Sequence, residues 1–178
     1  MKKKQYMLVE LTRTVHHNLQ VSETLIVDFY ISNMSILPGL YKIRNEKTSH
    51  YIASYSTDRP GDIVRTLSKE ENSTLPAFNF EIKPLDGGRF TVTSILTHLH
   101  IGIAAGIDDG VPLLWAGEPE PVSFIPADTG IENHYAIRIP PGPLPVERYC
   151  YEKDNAREVA VTRNIQEVGG LWILERVD

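Results

Sequence analysis

The sequence predicts an all-β domain built as a β-trefoil, three pseudo-repeats of four strands, with an N-terminal extension. Three observations carry this. A short phrase recurs three times: a turn, then an aromatic, then an aliphatic two residues later. A second phrase, an aromatic beside or near an aliphatic, closes each copy. No stretch after residue 37 keeps a helical apolar period over three turns. The opening aromatics are Tyr41, Phe90 and Tyr135, 49 and 45 residues apart, and the closing aromatics Phe80, Phe124 and Trp172 follow them by 39, 34 and 37 residues.

In order along the chain, the first copy opens at Pro38-Gly39-Leu40-Tyr41-Lys42-Ile43. It continues through strand-like runs at 50–56 and 62–67, and closes on Phe80-Glu81-Ile82. The second opens at Gly87-Gly88-Arg89-Phe90-Thr91-Val92, runs through 99–104 and 111–115, and closes on Phe124-Ile125. The third opens at Asn133-His134-Tyr135-Ala136-Ile137, runs through 147–151 and 158–162, and closes on Trp172-Ile173. The runs are rich in Val, Ile, Tyr and Trp and are bounded by turn residues at 58–61, 86–87 and 108–110. One copy alone could not bury its apolar face, so three must close on one another as a barrel capped by three hairpins. The six repeat aromatics are core candidates, each stabilising by roughly 1.5–3 kcal/mol when buried.

Composition breaks near residue 37. All 12 prolines and 12 glycines lie between Pro38 and Gly170, and residues 1–36 hold none. Within that segment Leu25, Val27, Phe29 and Ile31 alternate with Ile26, Asp28, Tyr30 and Ser32. Residues 1–36 therefore read as a weakly structured or strand-like extension, and 37–178 as the trefoil domain. No function is assigned to the extension.

The net charge of −5 argues against a nucleic-acid binder with a basic footprint. A single cysteine, Cys150, excludes an internal disulfide. No apolar run reaches the ~20 residues needed to span a bilayer, so no membrane partner is expected. Glu10, Thr12, Arg13 and Thr14 interrupt what would be a secretion signal, leaving the cytoplasm as the expected compartment.

Chemistry-bearing residues are sparse. Cys150 lies in Arg148-Tyr149-Cys150-Tyr151-Glu152, whose alternation suits an inward-facing small hydrophobe. His98 and His100, two apart, would share a strand face, but no further ligand supports a metal there; His16 and His17 point to opposite faces if extended. Asp108-Asp109 before Gly110 reads as a turn. No phosphate loop, nucleophile elbow or metalloprotease motif occurs. The expectation is a monomeric binding protein, not an enzyme, with no cofactor and no metal. Its function would lie in loops at 55–62, 67–77, 117–122 and 140–146.

The phrases at 37–43, 80–82, 88–92 and Trp172-Ile173-Leu174 resemble the fungal serine protease inhibitors of the cospin type, and more distantly the mycocypins. The similarity covers roughly residues 37–178. It implies a disulfide-free β-trefoil that blocks a trypsin-like serine protease with the loop between the second and third strands of the first copy. Here that loop holds Ser56, Thr57, Asp58, Arg59 and Pro60. Arg59 suits an acidic specificity pocket, and Pro60 biases it toward an extended conformation. Proteases of that kind generally refuse proline directly after the specificity residue, which makes Thr57 and Asp58 alternatives. Two other readings stand beside it. One is inhibition of papain-like cysteine proteases. The other is a carbohydrate-binding trefoil, against which neither Trp115 nor Trp172 has a glutamine two residues before it.

Overall fold

The computed structural model describes residues 36–71, 75–102, 108–139, 146–153, 156–164 and 169–177. The strand-like expectation for residues 1–36 and the loop at 140–145 lie outside the described residues, apart from Ile36. Ile36–Asp178 is one compact unit.

Among the described residues, twelve strands fall in three sets of four. The first copy holds β1 (Gly39–Asn45), β2 (Tyr51–Ala53), β3 (Arg65–Leu67) and β4 (Phe80–Leu85), with a 3-10 turn at Leu75–Phe78 that the sequence did not announce. The second holds β5 (Arg89–Ser94), β6 (His100–Ile101), β7 (Trp115–Ala116) and β8 (Ser123–Pro126). The third holds β9 (His134–Ile139), β10 (Arg148–Lys153), β11 (Glu158–Thr162) and β12 (Leu171–Arg176).

The first and last strands of each copy close a six-stranded antiparallel barrel. β1 pairs with β4, β4 with β5, β8 with β9, β9 with β12, and β12 returns to β1. The remaining seam, β5 to β8, closes through Phe90 and Val122, which exchange two backbone hydrogen bonds of 2.8 Å. Closure removes every edge from the barrel. Tyr41, Phe80, Phe124, Tyr135 and Trp172 are buried in it as expected, but Phe90 is only half-buried. It sits one residue from the open end of the barrel, where its ring meets Phe124 edge-on at 5.5 Å between centroids.

The inner strands form three hairpins that cap the barrel: β2–β3, β6–β7 and β10–β11. At their junction Val64 N–H donates to Leu113 O, Leu113 N–H to Val159 O, and Val159 N–H to Val64 O, at 2.8–2.9 Å. All three side chains are fully buried. This cyclic triangle is the pseudo-threefold axis in hydrogen bonds. It also explains why β3 starts at Arg65 and not at residue 62: the Asp62 carbonyl and both backbone groups of Val64 bond to neighbouring copies instead of across their own hairpin.

The axis extends outward in step. Trp115 N–H donates to Asp62 O, Val161 N–H to Val111 O and Thr66 N–H to Arg157 O, each about one residue pair beyond the triangle and each at 2.8–2.9 Å. Two of the strand-one turns repeat a further device. The Asn45 carbonyl Oδ1 accepts the N–H groups of Lys47 and Thr48, and the Ser94 hydroxyl those of Leu96 and Thr97. These side chains satisfy turn donors that would otherwise be orphaned.

Candidate functional site

The loop from β2 to β3 is built from two consecutive turns. In the first, Asp58 N–H donates to Tyr55 O at 2.9 Å, and the Asp58 carboxylate Oδ2 accepts Tyr55 N–H at 2.7 Å. In the second, Asp62 N–H donates to Arg59 O at 3.0 Å and Asp62 Oδ2 accepts Arg59 N–H at 2.8 Å. An acid at the fourth position reaching back to the first N–H is the reciprocal arrangement of a capping box, used here without a helix. Pro60 followed by Gly61, with φ at +96°, is the residue order of a type II turn, and only glycine takes that φ without strain.

The second copy braces this loop. Gly61 N–H donates to Trp115 O at 2.8 Å, Trp115 N–H returns a bond to Asp62 O, and Pro60 lies against Gly117. Below the loop is an open depression of about 650 Å³. Its lining includes Tyr55, Asp58, Asp62, Ile63 and Arg65. Tyr55 is 36% exposed, a large aromatic presented to solvent. The carboxyl of Asp58 is held above the usual carboxylate range, first by burial and further by the negative charge of Asp62. The N–H of Tyr55, the charge of Arg65 and the nearby Trp115 indole act in the opposite direction. That indole Nε1 is fully buried and has no hydrogen-bond partner of normal geometry.

Of the five residues singled out from sequence, Thr57 and Asp58 line the depression. Ser56, Arg59 and Pro60 are exposed on the same loop without lining it. The double turn ties the backbone N–H of Arg59 to Asp62, so this part of the loop is folded upon itself. Tyr55 and Asp62 lie in the loop at 55–62 named from sequence but not among those five residues, and Ile63 and Arg65 fall outside that loop. The signal that could have found the two acids is the repeated spacing Tyr55-x-x-Asp58, Arg59-x-x-Asp62.

The other candidates carry no comparable arrangement. Cys150 is buried at the position that Ile52 and Ile101 occupy in the other copies, and burial pushes its thiol far above the ordinary range. His98 does not share a strand face with His100: it lies in the turn before β6 with φ at +59°. His100 Nδ1 is 2.9 Å from the Thr93 hydroxyl, and burial lowers its proton affinity. No group of three or more potential metal ligands occurs among the described residues. Asp109 is a turn residue whose Oδ1 accepts Arg163 N–H at 2.8 Å.

The described polar cluster with the deepest burial is structural. Glu152 Oε1 accepts the Thr66 hydroxyl and His50 Nδ1–H, both at 2.7 Å, and Oε2 accepts the Thr48 hydroxyl. Strand alternation puts Arg148, Cys150 and Glu152 all inside, so the pattern that buries the thiol also buries two charges.

No protein-family model matches the sequence, and no curated protein does either. Solved structures do. The agglutinin of Rhizoctonia solani superposes with a TM-score of 0.67 at 16% identity, over 81% of this chain and 99% of that one. The ricin B-like lectin of Macrolepiota procera, solved with lactose, gives 0.64 at 18% identity, over 80% and 99%. A designed threefold-symmetric protein, ThreeFoil, gives 0.61 at 12% identity, over 78% and 99%. The chain is a β-trefoil. At these identities the likeness concerns the fold. A cospin-type resemblance gains no support from any of the three comparisons. The neighbours also include an endo-β-galactosidase of Clostridium perfringens, matched over 33% of its length, so the fold occurs in enzymes as well as in lectins.

Proposed function

We propose that this protein is a carbohydrate-binding β-trefoil that takes a saccharide in the depression beneath the β2–β3 loop, without catalysing a reaction on it. The observation that carries the reading is the pairing of an exposed Tyr55 ring with two carboxylates and a guanidinium around one open depression of about 650 Å³. A sugar has an apolar C–H face and a rim of hydroxyls. Tyr55 offers a flat apolar surface for the first. Asp58, Asp62 and Arg65 offer acceptors and donors for the second, as charge-assisted hydrogen bonds. The braced loop has little conformational entropy left to lose on binding. Two of the structural neighbours are a lectin solved with lactose and an agglutinin, which favours this reading over protease inhibition.

The test is binding of the purified chain to an array of neutral, amino and acidic glycans, beside Tyr55→Ala. Saccharide binding that Tyr55→Ala removes supports the proposal; an array without a single bound glycan overturns it.

A second reading keeps the loop and changes the partner. Ser56, Thr57, Arg59 and Pro60 are exposed on a loop braced at both turns, and such a loop could enter the cleft of a trypsin-like serine protease. Tight inhibition of trypsin that Arg59→Ala abolishes would favour it. Inhibition of papain alone would move the target to cysteine proteases.

A further inference from the structure

We propose that the depression selects an amino sugar with its amine unsubstituted, a cationic hexosamine, over neutral and acidic sugars. This rests on the carbohydrate reading above and names the ligand class of the same site. Among the residues lining the depression, Asp58 and Asp62 are acidic and Arg65 alone is basic, which leaves one formal negative charge. Each aspartate spends one oxygen, Oδ2, on the N–H that closes its turn. The second oxygen of each takes no part in the turn. Both carboxylates line the same depression, and the charge of Asp62 raises the proton affinity of Asp58. The buried Trp115 indole N–H, outside the lining, acts on Asp58 in the direction of its ionised form.

A neutral hydroxyl here makes an ordinary charge-assisted hydrogen bond. An ammonium makes the same bond with a full opposing charge against two carboxylates, and the Tyr55 ring adds a face that attracts cations. A uronic or sialic carboxylate meets two like charges against the single opposite charge of Arg65.

The experiment is titration calorimetry of the full chain with a glucosamine tetramer, its N-acetylated counterpart and a galacturonate tetramer. The free amine is expected to bind about five- to tenfold more tightly than the N-acetylated form, a preference that shrinks with added salt. The uronate is expected to bind least. Asp58→Asn and Asp62→Asn, which keep an acceptor for the turn, should erase the preference but retain binding of the N-acetylated tetramer. Arg65→Gln removes the one like charge and should tighten amine binding about two- to fivefold, a gain that misfolding does not produce. Asp86→Asn, in the remote β4–β5 turn, should change nothing.

Equal affinity for amine and N-acetyl forms, with both lost in Tyr55→Ala, overturns the inference and leaves the carbohydrate reading standing. Equal weakening by Asp86→Asn and Asp58→Asn means general attraction to an acidic protein and overturns it too. Absence of binding to all three tetramers overturns the inference, and the carbohydrate reading falls with it only when the glycan array is empty as well.

Discussion

Glu152→Ala should be among the most destabilising single changes in the domain. The carboxylate is 4% exposed and accepts three hydrogen bonds, from Thr66, His50 and Thr48. Thr48 and His50 belong to the β1–β2 turn of the first copy, Thr66 to β3, and Glu152 to β10 of the third. The cluster therefore ties the first copy to the third, beside the turn where Asn45 Nδ2 and Glu152 N–H both donate to Gly169 O, at 2.7 and 3.0 Å. Truncation strands the Thr66 hydroxyl, which is fully buried and has no route to water. Removing one member of a buried charged network costs about 3–5 kcal/mol, against a typical total stability of about 5–15 kcal/mol. For a domain near this size that lowers Tm by about 10 °C. Glu152→Gln keeps an acceptor for Thr66 and His50 and should cost only about 1–2 kcal/mol. Urea unfolding of the three proteins by circular dichroism measures both. A loss below about 1 kcal/mol for Glu152→Ala would refute the reasoning, because the donors would then be satisfied elsewhere.

Three more expectations follow from particular contacts. A Cβ on Gly102 would meet the Ala116 Cβ at 2.7 Å and the Leu114 carbonyl oxygen at 2.8 Å, so Gly102→Ala should cost about 1–3 kcal/mol in urea unfolding. The Cys150 thiol should resist a thiol-specific disulfide reagent in the folded protein and react once urea unfolds it, and Cys150→Val should cost less than about 1.5 kcal/mol. Glu71 is held down to about 2 by hydrogen bonds from Arg157 and from Ser68 N–H. A depressed carboxylate stabilises the fold above its unfolded value near 4.5 and loses that contribution as pH falls toward about 2. Glu71→Gln should therefore flatten the pH dependence of stability in that acid window and leave stability between pH 6 and 8 less dependent on added salt.

The barrel was legible because its residues obey one period. Tyr41, Phe80, Phe124, Tyr135 and Trp172 all fill the same closed space, and residues two apart on a strand face the same side, so each copy repeats an aromatic with an aliphatic close by. The cap was legible as strands but not in its limits. The backbone at 62–64, 111–113 and 157–159 bonds between copies, and a repeat read from sequence does not say which neighbour an N–H meets. The half-burial of Phe90 comes from its place beside the barrel mouth, which the repeat spacing does not encode.

The site was half legible. Proline and glycine marked the loop at 58–61 as a turn, and the resemblance drew attention to Ser56 through Pro60. The lining depends on Asp62 and Arg65, which read as a turn end and a strand start, and on Tyr55, which reads as one more β-forming aromatic. Their convergence follows from the brace that Trp115 applies to Gly61 and Asp62 from more than 50 residues further along the chain. Glu152 and His50 escaped for the same reason, since a buried charge announces itself only when its distant partners are known.

The account turns on whether a saccharide sits beneath the β2–β3 loop. The most direct measurement is a ¹H–¹⁵N spectrum of the full chain titrated with the glucosamine tetramer. The account predicts saturable shifts in the amide signals of Asp58, Gly61 and Asp62 and in the Trp115 indole signal, with the signals of Lys153 and Glu158 in the third-copy hairpin unmoved. Shifts confined to any other loop, or an unchanged spectrum, would contradict it.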